Sequence, residues 1–549
     1  MSAHTMQNDR ESAESYILRA GAFEQEGSSV DEYAVLIEGL RAHYDNYELY
    51  FMLGLYYRYR NADQAFLCFE NAIRYCEEAE DEKVIREALD GLRDRARVRG
   101  TSIVIVSYND FELCRECIRA IRRYYDGEEL EVIVVDNAST DEELLRFLRD
   151  QNEKNDNFIL IENEKNEGFP IGCNIGLAAA NPENDVFFLN NDAILMPNAL
   201  FWLKMGLYAD KRNGAVGAVT NCAPSQEVSL ESLEPYLQNA PMADARPLTS
   251  IDEDSSEHRW WRTISLDSAL ETAKSYARDH NVPMWNPYEV RCRLTGFAVL
   301  LRREAINDVV ITEKRENIKN REKRWLFDER FSPGYFEDDD LGIRLCLAGW
   351  RQVLCHNAFI YHHGGSGFEG KKDAMEASRE KFREKWGFDI WNYILFEDEK
   401  MGSLMDAIAE KDRQNSSSTD SPEAGDGEAQ QKLSNGVNGL KLYNRVLRIL
   451  DISAGMGTTL SAIKYQMPDS FTAGITNVDV FAGLAKYMAD DMISGDPELV
   501  TFPWPEHSFD FIILGDSAVT ATEPEMLIRK LRMYLKEDGR LINAVSETE

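Results

Sequence analysis

Thr101-Ser-Ile-Val-Ile-Val-Ser107-Tyr-Asn-Asp110 is the stretch on which the fold turns. Its centre, Ser102 to Ser107, is a continuous β-branched run of the kind buried in parallel sheets, and it stops abruptly in polar residues. Similar apolar runs follow at Glu131 to Val135, Phe158 to Ile161 and Val186 to Leu189, with helical segments between them. Strand and helix alternate, so a doubly wound α/β sheet is expected. In such sheets ligands lie beyond the carboxyl ends of the strands. Those ends are Ser107-Tyr108-Asn109, Asp136-Asn137-Ala138-Ser139-Thr140-Asp141 and Asn190-Asn191-Asp192. Any one could be turn chemistry, since Asn, Asp and Ser bond their own backbone, but three together point to a site.

Outward from this core the chain changes character. Ala13 to Val98 has helical period and few Pro or Gly residues. Tyr50, Leu53, Gly54, Tyr57, Ala65, Phe69 and Ala72 fall close to the spacing of a tetratricopeptide repeat, one residue short at the turn. Either a protein-docking surface or a plain helical cap would fit. The α/β pattern is expected to run from Thr101 to Lys400, with a charge-rich elaboration from Ser225 to His280. Asp412 to Asn438 has almost no large apolar residues and reads as a flexible linker. A second α/β pattern, opening with a strand at Val446 to Ile452, occupies Leu440 to Glu549.

The 549 residues exceed what one core supports, so several domains are expected. Lys plus Arg number 61 against 96 Asp plus Glu, a formal charge of -35, which disfavours nucleic acid and anionic lipid as partners. The amino terminus lacks the basic-then-apolar order of a secretory signal, and no apolar run reaches about 18 residues. A cytoplasmic protein without membrane insertion is expected. Nine scattered cysteines read as buried thiols. Cys114 and Cys117 lie in an amphipathic stretch, where packing is favoured over zinc binding.

SIVIVSYND, VIVVDNASTD, NEGFPIGCNIGL, FLNNDAIL, LTGFAVLLRR, FSPGYFEDDDLGIRLCLAGW and IYHHGGSGF succeed one another over Thr101 to Lys400. In order and spacing this stretch resembles glycosyltransferase family 2, whose domains have the GT-A fold. The resemblance implies that Ser107, Asp136, Asn137, Ser139, Asn174, Asn191 and Gly296 bind the nucleotide sugar, with Asp136 toward the base or ribose. A loop cap is the competing reading of Asp136. Asn190-Asn191-Asp192 stands where the family has its metal-binding Asp-x-Asp, and only Asp192 keeps a carboxylate. The metal, manganese sooner than magnesium, would then draw on His362 or His363 and on diphosphate oxygens. Strand-end packing would also explain the histidines.

Glu337-Asp338-Asp339-Asp340 precede an amphipathic stretch, where acids suit a helix N-terminus. Four adjacent anions nevertheless repel one another, so a raised pKa or a facing cation or substrate is expected. The resemblance places Asp338 as general base toward an acceptor hydroxyl, with Glu337 and Asp340 orienting acceptor or loops. Gly296 would let backbone approach the donor.

Leu450-Asp-Ile-Ser-Ala-Gly-Met-Gly457 resembles the first motif of class I methyltransferases, which implies Asp451, Gly455 and Gly457 for S-adenosylmethionine. Ser453 stands where a glycine is usual, Thr476 stands near where an acid would hold the ribose, and the pattern has about five strands. A truncated or degenerate domain is favoured. The expected fold class is therefore multidomain α and α/β: N-terminal helical repeats, a central GT-A nucleotide-sugar-binding domain and a C-terminal Rossmann-like, methyltransferase-type domain. The function expected first is metal-dependent, inverting transfer from a nucleotide sugar, a UDP-sugar first among donors, to a hydroxyl on a protein, as in bacterial protein O-glycosylation. Extension of a surface polysaccharide, a nucleotidyltransferase and a non-catalytic scaffold are the alternatives.

Overall fold

The computed structural model describes residues 11–125, 130–223, 225–237, 261, 264–314, 322–364, 371–393, 398–417, 446–515 and 520–543. The chain divides into two compact units. The first takes in Met1–Tyr288, Leu294–Leu341 and Val353–Lys381, and the second Glu289–Arg293, Gly342–Gln352 and Phe382–Glu549.

The first unit opens with helices α1 (Ala13–Glu26), α2 (Ser29–Ala42), α3 (Tyr47–Tyr57), α4 (Ala62–Tyr75) and α5 (Ala79–Asp90). Asn46 and Asn61 cap α3 and α4 by accepting from backbone amides one turn in. Gly54 is required by close approach: a Cβ there would lie 2.4 Å from the Phe69 ring. Tyr50 and Phe69 are fully buried, as the spacing of large and small residues predicts.

Beyond the helices lies an eight-stranded sheet, all of it in this unit except residues 289–291 and 351–352. Its strands are β1 (Thr101–Ser107), β2 (Leu130–Asp136), β3 (Phe158–Glu162), β4 (Asp185–Leu189), β6 (Asn213–Val219), β7 (Tyr288–Arg291), β8 (Ala298–Leu301) and β11 (Arg351–Phe359). Their order is β3-β2-β1-β4-β8-β6-β11-β7. Helices α6 (Phe111–Tyr124), α7 (Glu142–Lys154), α8 (Phe169–Ala179) and α9 (Ala199–Leu207) connect the early strands. β1 runs parallel to β2 and β4, and β2 parallel to β3, as the four apolar runs predict. The sheet is not doubly wound throughout, because β8 inserts antiparallel between β4 and β6. All seven residues of β1 are buried, which is why its apolar run does not alternate.

Two short ladders complete this unit: β9 (Ile311–Lys314) with β10 (Glu322–Trp325), and β5 (Ala193–Ile194) with β12 (Tyr361–His362). The middle of the Ser225 to His280 elaboration and the end of the IYHHGGSGF motif lie outside the described residues.

The second unit is a five-stranded sheet, β13 (Arg448–Asp451), β14 (Phe471–Thr476), β15 (Asp491–Ser494), β16 (Phe509–Ile513) and β17 (Leu535–Ile542), in the order β15-β14-β13-β16-β17. Every pairing is parallel. Met401, Leu404 and Ile408 of the helix Asp398–Ser417 pack with Ile449, Phe511 and Ile513 into one core. Leu450, Ile512, Leu527 and Leu531 belong to another. Residues 412–417 thus continue a helix where the linker is expected to begin; the rest of Asp412 to Asn438 lies outside the described residues. Among the described residues, no helix is long and apolar enough to cross a membrane.

Candidate active site

The polar ends of β1 and β2 are tied into one wall. Asp136 is almost fully buried, and its carboxylate accepts from the Ser139 amide at 2.9 Å and the Ser139 hydroxyl at 2.5 Å. The Asn109 amide donates to Ser139 Oγ at 2.8 Å, while Asn109 Oδ1 accepts from the amides of Thr140 and Asp141. Asn109 and Asp110 adopt positive φ, a conformation that asparagine and aspartate tolerate best among non-glycine residues. Ser107 is buried at the end of β1, and its carbonyl accepts the Asn137 amide at 2.8 Å.

Asn137 and Asn174, both expected at the donor, are occupied as braces. Asn137 donates to the Gly168 carbonyl and accepts from Asn163. Asn174 Oδ1 accepts from the Leu326 and Phe327 amides at 3.0 Å each, and its Nδ2 donates to the Phe327 carbonyl at 2.8 Å. These side chains hold loops in place. Gly168 has φ of 85°, and a Cβ there would lie 2.6 Å from Pro333 Cα, so only glycine fits.

At the end of β4 the chain turns through Asn190, Asn191 and Asp192 into β5. The β5–β12 ladder pairs Ala193 with His362, which brings the imidazole to Asp192. His362 Nε2 stands 3.4 Å from Asp192 Oδ1, and its Nδ1 bonds the Cys222 carbonyl. Burial works against a charged imidazole, but the Asp192 carboxylate and the Cys222 carbonyl outweigh it and raise the His362 pKa to about 10. Asn221 exchanges two hydrogen bonds with the His362 backbone, and the Phe297 ring stacks on the imidazole at 4.9 Å. His363 turns elsewhere, with Nδ1 3.0 Å from Tyr361 Oη. The two histidines are thus not equivalent.

This corner suits a divalent cation. With Nδ1 held by a carbonyl, Nε2 faces Asp192 and becomes a ligand nitrogen where a cation displaces its proton; such a carbonyl contact is what orients metal-binding imidazoles. In the same turn Asn190 Oδ1 is buried without a hydrogen-bond partner. Among the described residues no three His, Cys, Asp or Glu side chains gather into a ligand set. Asp192 and His362 are the pair that could hold a cation at this corner. Burial, together with the Asp192, Glu112 and Asp141 carboxylates, raises the Asp110 pKa, against the backbone bond from Leu113. Asp110, Asn221 and Cys222 escape the sequence reading; their signal is a polar stretch after an apolar run, as at Asn221-Cys222.

The four acids lie in the first turn of the helix Glu337–Leu347. Tyr335 and Phe336, just before it, both have positive φ, costly for aromatic residues and a mark of a constrained approach. Glu337, Asp339 and Asp340 are buried, whereas Asp338 is half-exposed. Asp338 Oδ2 accepts the Gly296 amide at 3.0 Å. A Cβ on Gly296 would lie 3.5 Å from Asp338 Cβ, an ordinary contact, so glycine is not forced here by the protein's own packing. Adjacent residues thus link two corners: Gly296 holds Asp338, and Phe297 holds His362.

In the second unit Asp451 ends β13, fully buried. Lys400 Nζ lies 3.2 Å from its Oδ2 and 2.8 Å from the Ser453 carbonyl, and the Ser453 amide donates to Asp451 Oδ1 at 2.8 Å. Gly455 and Gly457 both have positive φ. The Tyr393 ring stands 3.4 Å from where a Gly455 Cβ would be, and Met488 and Ala485 crowd Gly457.

The strand ends of this mixed α/β domain thus gather buried aspartates, a histidine and an acidic helix start. Residues 102–239 match Glycosyl transferase family 2, so the chain carries a glycosyltransferase domain of that family. No curated protein matches the chain. Among solved structures it is similar to the mannosyltransferase PcManGT from Pyrobaculum calidifontis in complex with GDP-Man and Mn2+, at 16% identity over 51% of this chain and 61% of that one, TM-score 0.31. It is also similar to GalNAc-T7 with UDP, GalNAc and Mn2+, at 11% identity over 48% and 44%, TM-score 0.33. A third is S. aureus TarS 1-349 in complex with UDP-GlcNAc, at 16% over 51% and 65%, TM-score 0.31. The chain spans less than two thirds of the length of each.

Proposed function

We propose that this chain is a metal-dependent, inverting glycosyltransferase that moves a sugar from a nucleotide sugar, a UDP-sugar first among donors, to a hydroxyl group on a protein in the cytoplasm. The observation that carries the proposal is the continuous path from Asp338 through Gly296 and Phe297 to His362 and Asp192, beside the wall of Ser107, Asp136 and Ser139. Asp192 and His362 would hold a manganese ion, which neutralises charge growing on the departing diphosphate. Asp338 is the one carboxylate of its row that is not fully buried. It takes the proton from the acceptor hydroxyl as that oxygen bonds the anomeric carbon, while the carbon–diphosphate bond breaks on the opposite face. Single displacement inverts the anomeric carbon, and a product of retained configuration would sink this mechanism. Protein as acceptor rests on the tetratricopeptide-like reading of α1 to α5, which would dock the polypeptide; a polysaccharide acceptor would leave that surface idle.

The first test is release of free nucleotide from UDP-, GDP- and dTDP-sugars with manganese. Turnover of one donor is expected. If no donor turns over and none raises the thermal midpoint, the scaffold reading replaces this one.

The second unit is read as a Rossmann-like, methyltransferase-type fold that has lost its cofactor. The acid of its first motif, Asp451, is committed to buried Lys400, and β14 ends in Thr476 without a ribose-binding acid. Displacing Lys400 would strand a buried charge, which costs about 3–5 kcal/mol. Isothermal titration of the full chain with S-adenosylmethionine should therefore show no binding at 100 µM, taken as roughly the scale of ordinary cofactor affinities. Saturable heat at that concentration would overturn the assignment.

A further inference from the structure

A cavity of about 380 Å³ lies in the first unit, lined by α4, α5 and α9 and by Tyr125 and Leu130. That volume falls in the range of small-molecule sites, roughly 300–1,000 Å³. Leu130 begins β2 and Asp136 ends it, so six steps of about 3.3 Å separate the cavity from the donor wall by roughly 20 Å.

The lining has an uneven charge. Arg74, Arg86, Arg93 and Lys204 face one acid, Glu70, in a chain whose formal charge is -35. Lys204 is only 4% exposed, yet its ammonium bonds the Tyr125 hydroxyl at 2.9 Å and the Arg99 carbonyl at 3.4 Å. Both hydrogen-bond partners are neutral, and the carboxylates of Glu70 and Asp185 act on the ammonium only at longer range. Burial opposes its charge, but the oxygens of Tyr125, Glu70 and Asp185 keep the ammonium protonated. Asn71 is 5% exposed, lines the same cavity, and its Nδ2 has no hydrogen-bond partner. An unmet buried donor calls for an acceptor. Phe66, Leu89 and Phe201 supply an apolar floor. Arg86 and Arg93 are held from outside by Glu82 and Asp90, through exposed pairs that water weakens.

We propose that this cavity binds a small organic anion, whose phosphate or carboxylate accepts from Lys204 and Asn71 while its apolar part lies against Phe66 and Phe201. The depth of both donors favours a small molecule over a polypeptide side chain. Such a ligand would bridge the N-terminal helices and the transferase sheet at the end remote from catalysis, and the proposal stands whether or not the glycosyltransferase reading does.

Isothermal titration of the full chain tests it with phenyl phosphate, and with benzyl alcohol as the neutral control. Phenyl phosphate should bind one site with a dissociation constant near or below about 1 mM, as its size allows, and benzyl alcohol should not bind. Lys204→Met should weaken the affinity by about 30-fold, the scale of removing one partner of a buried charged contact. Since Lys204→Met could unfold the helix contact, Arg86→Glu/Arg93→Glu changes only side chains that are 56% and 69% exposed. It should weaken binding by about three- to tenfold. Absence of binding, equal affinity for benzyl alcohol, or affinity unchanged in the double variant would each overturn the proposal.

Discussion

Replacing Asp338 with asparagine should slow nucleotide release from the preferred donor by about 10²–10⁴-fold, the range of a general base, and leave nucleotide affinity unchanged. Hydrolysis reads this without a known acceptor, because water then stands in for the acceptor hydroxyl and also surrenders a proton. The amide is nearly isosteric and can still accept the Gly296 amide, although it cannot also take the Asp339 amide on a second oxygen. The wall of Ser107, Asp136 and Ser139 is untouched, so binding should persist. Comparing kcat with the dissociation constant of the free nucleotide separates the two effects. A variant that loses both equally would return Asp338 to the role of helix-start acid, and Glu337 and Asp340, buried behind it, would then have no accessible carboxylate to serve.

The same row of acids shows what a sequence can and cannot tell. Four acids before an amphipathic stretch announce a helix start, and the helix Glu337–Leu347 begins there. Which of them meets solvent depends on tertiary packing, which the order of residues does not express. The run at Ser102 to Ser107 was legible for a simple reason: a strand buried on both faces has no room for polar residues, so its apolar stretch marks its extent. The antiparallel β8 was not, because Ala298–Leu301 is equally apolar in either direction and only its neighbours decide its sense. Asn137 and Asn174 sit in donor-like motifs and yet spend their amides on loop carbonyls and amides. An asparagine that braces a site and one that touches a ligand look alike in sequence. The choice between His362 and His363 needed the register of the β5–β12 ladder, since successive side chains of a strand point to opposite faces.

That register makes Asp192 the more severe test. Asp192→Ala should abolish manganese-dependent donor turnover, a loss of about 10³-fold or more if the metal supplies several kcal/mol at the leaving diphosphate. The fold should survive, because His362 keeps its ring bond to the Cys222 carbonyl, its backbone bonds to Asn221 and its stack on Phe297. The thermal midpoint of the variant should therefore respond to denaturant much as wild type does, but no longer rise when manganese and nucleotide are added together. Asp338→Asn should keep that rise, since it leaves Asp192 and His362 unchanged. The two variants then differ in kind: one loses the metal-assisted departure of the nucleotide, the other the proton acceptor that lets the incoming hydroxyl attack. Manganese activation that persists in Asp192→Ala would remove this residue from the metal site. The cation would then have to be sought at Asp110, whose burial near the same corner already disfavours its ionised form.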